Sequence, residues 1–293
     1  MKNKLSLFAV PSVGWMSIFV VAPIIIMVVY AFSTAAGDFT LENFARMGTY
    51  TAVFTRSFKL AIIATLIALL IGYPVSYMLS KEGPQVQRIA MVLIMLPMWM
   101  NFLLRTYSWM SILENNGLLN QLFQQIGLID LYNQIAMHFA SDPAAYVPID
   151  HFQMIGTQGA VVLGMVYNYL PFMILPIYSV LVKLDHSLIE AARDLGASSV
   201  QVFRKVILPL SLPGVLSGIT MVFVPSVSTF AISRLLGGGT QMMLGDLIEQ
   251  QFLGGAYNPQ LGAAIALVMM AIVVVCMLVM NRFGDGEEQA VML

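Results

Sequence analysis

The sequence is short of the residues from which most chemical sites are built. Among 293 residues, 10% are charged, three are histidine and one is cysteine. The single Cys276 excludes a disulfide within the chain and a cysteine metal site. The histidines lack the spacing of metal ligands, and no glycine-rich phosphate loop ending in Gly-Lys-Ser or Gly-Lys-Thr is present. The sequence therefore predicts no catalytic residue, no metal and no ATP site of its own.

Charge is also too scarce for a water-soluble protein. The formal net charge is −1, the mean hydropathy is +0.83, and nothing points to a nucleic-acid partner. Apolar runs of this kind are typical of membrane helices of about 20 residues, surrounded by a lipid bilayer. The fold class is therefore predicted to be an all-α integral membrane protein with one domain over residues 1–293. The six predicted spans are residues 5–32, 60–79, 89–111, 160–182, 212–232 and 261–280.

Lysine and arginine predict the orientation of these spans. With both termini in the cytoplasm, nine of them lie in inner segments: Lys2, Lys4, Lys81, Arg88, Lys183, Arg193, Arg204, Lys205 and Arg282. Four lie in outer segments: Arg46, Arg56, Lys59 and Arg234. Since cytoplasmic loops carry the excess of positive charge, residues 183–211 are predicted to face the cytoplasm and residues 112–159 the outside.

The inner segment between spans four and five carries a helical hairpin pattern. Ser187 followed by Glu190 predicts a capping box at the start of a helix. One apolar stripe follows: Leu188, Ala191, Ala192 and Leu195. Gly196 stands where a helix end favours positive φ, and Ser198 with Gln201 predicts a second cap. The sequence thus predicts a short helix, a turn and a second short helix.

The spacing inside this hairpin is specific. Glu190-Ala191-Ala192, three residues, Gly196, nine residues and Val206-Ile207-Leu208-Pro209 resembles the EAA loop of ABC-importer permeases, with Val206 where isoleucine is usual. By this resemblance, the hairpin is a coupling helix that docks on an ATP-hydrolysing subunit. The coupling residues it implies are Glu190, Ala191, Ala192, Asp194, Leu195, Gly196, Leu208 and Pro209.

The resemblance also implies an assembly in a bacterial inner (cytoplasmic) membrane. This chain would pair with a second permease subunit, favoured to be a different chain. Two copies of an ABC ATPase would hold ATP and Mg²⁺, with no cofactor in this chain. An extracytoplasmic substrate-binding protein would deliver the substrate.

Other stretches narrow the resemblance to spermidine/putrescine permeases. Residues 96–109, LPMWMNFLLRTYSW, are similar to the third span of that family, as are residues 170–173, Leu184-Asp185 and residues 190–197. One residue departs from the family. Arg234 precedes Leu235-Leu236-Gly237-Gly238, where the family often has an acid. A cation at this position is unfavourable for a polycationic substrate.

The predicted spans hold no Asp or Glu that would mark an ion site. Aromatic faces, which attract cations, and small polar side chains are the remaining candidates for a substrate pathway. We list Trp99, Asn101, Tyr107, Tyr167, Tyr169, Phe223, Ser226, Thr229 and Phe230. Core packing, an interfacial belt or hydrogen bonds between helices explain the same residues. Arg105 is expected to extend its charge to the membrane surface.

The predicted outer loop contains Leu118, Leu119, Leu122, Phe123 and Ile126 at helical spacing. This pattern predicts an amphipathic helix, which either lies passively at the membrane interface or forms a docking surface for the binding protein. The candidate docking residues are Glu114, Asp130 and Asp246.

Alternatives remain open at this point. Permeases for ferric ion, sulfate, molybdate or thiamine share the same hairpin. A secondary transporter would need a buried carboxylate in its spans, and a membrane scaffold would have no ATPase partner.

Overall fold

The computed structural model describes residues 14–139 and 146–291, and this part of the chain is almost entirely helical. The helices are α1 (Ala22–Ala31), α2 (Glu42–Arg46), α3 (Thr51–Ser80), α4 (Pro84–Met95), α5 (Phe102–Leu113), α6 (Leu118–Gln125), α7 (Leu128–Phe139), α8 (Gln158–Leu181), α9 (His186–Asp194), α10 (Ser199–Val202), α11 (Leu208–Ser228), α12 (Ala231–Leu236), α13 (Leu244–Leu253) and α14 (Pro259–Val291). Single π-helical turns cover Ser17–Val21 and Phe203–Ile207, and 3₁₀ turns cover Met47–Tyr50 and Leu96–Trp99.

Within residues 14–139 and 146–291, five stretches are long and apolar enough to cross a membrane: Gly14–Ala31, Glu42–Ser80, Gln158–Leu181, Ser199–Ser228 and Pro259–Met280. A sixth span exists if the bent pair Pro84–Trp99 and Phe102–Gln125 crosses as one unit. The first nine residues of the predicted first span, 5–13, lie outside the described residues.

The third predicted span, 89–111, is wrong as a continuous helix. The chain bends by 90° between Trp99 and Phe102. Met100 is extended, and the Asn101 side chain accepts hydrogen bonds from the backbone N–H groups of Leu103 and Leu104. A side-chain cap of this kind starts a new helix. The bend therefore follows from the helix cap at Asn101. The apolar composition of the stretch does not indicate this bend.

The fifth predicted span ends at the wrong place. The helix stops at Ser228, and α12 starts only after Thr229 and Phe230. The second helix of the hairpin is not separate either, because α10 continues through the π turn into α11. The predicted 112–159 loop holds α6 and α7, and the predicted amphipathic helix is confirmed as α6.

Helices α3, α8 and α11 form the centre of the bundle. Small residues line the buried face of α3: Ser57, Ala61, Ala64, Thr65, Ala68, Gly72 and Ser76. A Cβ on Gly72 would lie 2.9 Å from Cγ of Met173 in α8. Close helix packing through small residues is how membrane helices associate, so this face sets the spacing of the three central helices.

The two ends of the bundle differ. The end at which α9 and α10 lie is called the hairpin end. At the opposite, distal end, α12 and α13 close over the starts of α3 and α8, where Arg56 donates to the Thr240 carbonyl at 3.3 Å.

Candidate functional site

The first helix of the hairpin between α8 and α11 is capped two residues earlier than the sequence predicts. The Asp185 carboxylate, not the Ser187 hydroxyl, caps α9, accepting from the Ser187 N–H at 2.9 Å. The capping box of Ser187 with Glu190 is therefore wrong. Asp185 competes successfully because a carboxylate at this position also stabilises the positive end of the helix.

The turn and the second cap agree with the prediction. Gly196 has φ of +80°, and the Ala197 N–H reaches back to the Ala192 carbonyl at 3.1 Å. Ser198 and Gln201 form a reciprocal capping box. Both helices of the hairpin are thus held by local hydrogen bonds, independent of contact with another subunit.

The hairpin presents two faces. Ile189, Ala192 and Val202 pack toward the buried cluster at the ends of α3 and α8. Leu195 is 89% exposed, and Leu188 and Val200 also project into open space. The predicted single apolar stripe is therefore divided. Ala192 faces the bundle, whereas Leu188 and Leu195 lie on the outer face.

The implied coupling residues are distributed between these faces. Five are exposed: Glu190, Ala191, Asp194, Leu195 and Gly196. Leu208 is 36% exposed and Pro209 is half-buried, and both lie in the first turn of α11. A cavity of about 370 Å³ beside α10 is lined by Val200, Gln201, Arg204 and Lys205. The outer face of the hairpin thus combines apolar side chains with charges of both signs.

The predicted pathway residues do not form one site. Tyr169 and Thr229 come together, with their side chains within hydrogen-bonding reach. Ser226 instead donates to the Val222 carbonyl of its own helix at 2.7 Å. Phe223 packs against Phe58 in another cluster, with ring centroids 6.2 Å apart.

The remaining pathway candidates lie elsewhere. Tyr167 packs edge-on against Trp109, with centroids 5.3 Å apart. Trp99 is 79% exposed on the outer surface of the bend, and Tyr107 and Phe230 are also largely exposed. Asn101 is the cap of α5.

Arg105 contradicts its expected extension to the membrane surface. Its side chain is only 8% exposed, and Nε and Nη1 have no hydrogen-bond partner among the described residues. It lies on the buried face of α5 with Thr106, near enough to Tyr169 for an electrostatic interaction. The apolar sequence around it gave no signal for this burial, which arises because α5 turns back against α8 and α12 after the bend.

The three docking candidates also separate. Glu114 and Asp130 are exposed, as expected for a docking surface. Asp246 is only 2% exposed, so its prediction as a docking residue is wrong. Its Oδ2 accepts from the Ser233 hydroxyl and, at 3.0 Å, from the Met243 N–H. Burial raises the pKa of the Asp246 carboxyl, and the Ser233 hydrogen bond opposes that rise.

Arg234 is paired within the chain. Its Nη1 donates to Oε1 of Glu249 at 3.0 Å, and Nη2 contacts Oε2 of the same carboxylate. This ion pair between α12 and α13 compensates the cation that departs from the family pattern. Among the described residues, no group of three His, Cys, Asp or Glu side chains is placed to hold a metal ion.

The family model of the binding-protein-dependent transport system inner membrane component matches residues 65–286. The spermidine/putrescine transport system permease protein PotB of Escherichia coli is 35% identical over 278 residues, which covers 92% of this chain and 94% of the relative. PotB of Haemophilus influenzae is 35% identical over 272 residues, covering 89% and 88%. The inner membrane ABC transporter permease protein YdcU of Escherichia coli is 28% identical over 234 residues, covering 79% and 71%.

Solved structures share the fold. A chain of a bacterial ABC transporter that imports the acidic polysaccharide alginate superposes with a TM-score of 0.75, at 16% identity, over 97% of this chain and 96% of that chain. A chain of the inward-facing MetNI methionine ABC transporter gives a TM-score of 0.54, at 19% identity, over 84% and 98%.

Proposed function

Because the chain belongs to the family of inner membrane components of binding-protein-dependent transport systems, we propose that it carries polyamines across the membrane as the permease subunit of an ATP-driven importer. The observation that carries this substrate class is the 34–35% identity, over 92% of the chain, to permeases named for spermidine and putrescine. The exposed outer face of the hairpin supports the coupling role.

The coupling mechanism follows from the position of the hairpin. Its outer face is the docking surface for an ABC ATPase, with Leu188 and Leu195 entering an apolar groove and Glu190 making a polar contact. ATP and Mg²⁺ are held by two ATPase copies in separate chains. When the ATPase pair closes on ATP, the hairpins approach each other and the bundle changes from inward-facing to outward-facing.

The proposed assembly contains three further components. A second permease subunit, a different chain, completes the central pathway, and an extracytoplasmic binding protein delivers the polyamine to the distal end. The bent pair of α4 and α5 counts as one span, which makes six and places both termini in the cytoplasm of a bacterial inner membrane. The whole chain acts as one transmembrane domain.

The chemistry of the pathway is compatible with a weakly held polycation. The membrane-crossing parts of α3, α8, α11 and α14 contain no carboxylate that would retain a polyamine. Tyr167, Tyr169 and Trp109 offer aromatic faces for cation–π attraction. The Arg234–Glu249 pair removes the isolated cation that would repel the substrate. Specificity then lies mainly in the binding protein.

The test is ATP hydrolysis by the protein purified with its accompanying subunits and reconstituted with its binding protein. Spermidine and putrescine should stimulate hydrolysis, whereas ferric ion, sulfate, molybdate and thiamine should not. Stimulation by one of those other solutes would refute the polyamine assignment and keep the permease. Uptake that survives ATP depletion would refute ATP-driven import.

A further inference from the structure

The ring of Phe203 lies between two tyrosine rings of α3. Its centroid is 5.9 Å from that of Tyr73, with the planes at 89°, and 5.6 Å from that of Tyr77, at 72°. Both are edge-to-face arrangements, which aromatic rings favour because the positive edge of one meets the negative face of the other. Phe203 is thus held from two sides by one helix.

Polar contacts fix the two tyrosines in place. The Tyr73 hydroxyl lies 2.8 Å from Oγ of Ser211 in α11. Since the Ser211 hydroxyl donates to the Leu208 carbonyl at 2.9 Å, the Tyr73 hydroxyl is the donor to Ser211. The Lys81 ammonium lies 3.8 Å from the centroid of the Tyr77 ring. We call Phe203, Tyr73 and Tyr77 the aromatic clamp.

The clamp joins two interruptions of regular helix. On the hairpin side, Phe203 begins the π turn, and the Leu208 N–H bonds to the Phe203 carbonyl five residues earlier. π turns inside helices are common at functional sites. On the other side, Tyr73 and Tyr77 flank Pro74, which removes one backbone hydrogen bond from α3. A helix bends most easily at such a residue.

The outer face of the hairpin is open to a partner, whereas Phe203 is half-buried at its root. The Phe203 ring links the root of the hairpin to α3, and its contact with Tyr77 lies beyond Pro74, in the last two turns of α3. Helix α3 packs along both α8 and α11.

We propose that Phe203 is the positioning residue through which the hairpin moves the segment of α3 beyond Pro74, and that Tyr73 and Tyr77 form its seat. The proposal rests on the ATP-coupled import proposed above. It assigns the transmission of movement to one aromatic contact, in addition to the residues of the EAA spacing.

The experiment compares Phe203→Leu and Tyr77→Leu with the aromatic controls Phe203→Tyr and Tyr77→Phe, in the complete transporter reconstituted in liposomes. Substrate import and ATP hydrolysis are measured together. For both leucine variants, import per ATP hydrolysed should fall by roughly twofold to thirtyfold. Both aromatic controls should retain the wild-type ratio. A purely structural role would lower complex yield and both rates together, leaving the ratio unchanged.

The double variant Phe203→Leu/Tyr77→Leu provides a second, independent readout. Because Phe203→Leu already removes the contact with Tyr77, the import-to-hydrolysis ratio of the double variant should match that of Phe203→Leu. Multiplicative losses, or a wild-type ratio in either leucine variant, would overturn the proposal. If the transporter with Phe203→Leu does not assemble, the import-to-hydrolysis ratios of Tyr77→Leu and Tyr77→Phe test the proposal.

Failure of the proposed function is distinguishable from failure of the clamp. The function fails if the wild-type transporter shows no substrate-dependent ATP hydrolysis. The clamp fails if the wild type couples hydrolysis to import and Tyr77→Leu couples them equally well.

Discussion

At Gly196, the backbone adopts φ of +80°, a region that residues with a Cβ enter at a cost. Among the described residues, no atom lies within 4 Å of a Cβ built there, so the cost is conformational and not a clash. Gly196→Val should strain the turn by about 1–2 kcal/mol and misdirect α10. We expect normal membrane insertion and loss of substrate-stimulated ATP hydrolysis.

The matched control is Gly196→Asn, since asparagine tolerates this backbone region better than a β-branched residue. It should retain most of the stimulation, measured as phosphate release with loaded binding protein. Equal stimulation in the valine variant and the wild type would show that the turn geometry does not matter for coupling.

Asp246 gives a prediction with a pH dependence. Because burial raises its pKa above the ordinary 3.8, the folded protein holds this proton more tightly than the unfolded chain. The resulting stability is fully present below that ordinary pKa and is lost as the pH rises through the raised folded pKa. Asp246→Asn keeps an acceptor for Ser233 and Met243 but does not titrate.

The thermal unfolding temperature in detergent, measured from pH 4 to pH 7, tests this prediction. The unfolding temperature of the wild type minus that of Asp246→Asn should become more negative as the pH rises. A constant difference over this range would show that Asp246 does not titrate with a raised pKa. Ser233→Ala serves as a control that removes the hydroxyl and leaves the carboxyl.

At the scale of the element, the hairpin is a pair of short helices with one face buried against the bundle and the other exposed. Leu195 is 89% exposed and Val202 is 2% exposed. Leu195→Asp should leave stability within about 0.5 kcal/mol of the wild type and abolish co-purification of the ATPase. Val202→Asp places a charge in the buried cluster and should lower the yield of folded protein.

The comparison is made by affinity purification and thermal unfolding of the same preparations. If Leu195→Asp still retains its ATPase, the outer face is not the docking surface, and the assignment of coupling residues around Leu195 falls with it.

For the whole molecule, the orientation of the bundle is the quantity to test. In a Cys276→Ser background, Ser199→Cys in the hairpin and Gln125→Cys in α6 both place an exposed thiol. A membrane-impermeant maleimide applied to intact spheroplasts should label Gln125→Cys only. Inverted vesicles should reverse the pattern. Labelling of Ser199→Cys from outside would overturn the proposed topology.

Sequence reasoning was accurate where a local rule determines the structure. Hydropathy located α3, α8, α11 and the start of α14, because a segment in lipid must satisfy its own backbone hydrogen bonds. Gly196 and the Ser198–Gln201 cap were predicted because each depends on residues within one turn. The EAA spacing indicated the family before any tertiary contact was known.

Sequence reasoning was wrong where a distant partner or a competing local group determines where a helix starts or where a side chain lies. Apolar content alone made residues 89–111 one continuous helix, although Asn101 starts a new helix there. Asp246 was assigned to the surface because its burial depends on Ser233 and the packing of α13. The cation at Arg234 was judged unfavourable for a polycation because its partner Glu249 lies 15 positions away and could not be assigned from the sequence.

By itself, then, the amino-acid sequence determined that this is a helical membrane protein with a two-helix hairpin between α8 and α11, since composition and short-range spacing carry that information, and the resemblance of the hairpin to the EAA loop indicated the permease family. Only the tertiary structure decided which side chains meet: Arg234 with Glu249, Asp246 with Ser233, and Phe203 with Tyr73 and Tyr77. Phe203 lies more than a hundred residues from either tyrosine, so their contact exists only because α3, α8 and α11 pack against one another. Periodicity reports which face of a helix is buried, but the partner on that face is set by packing.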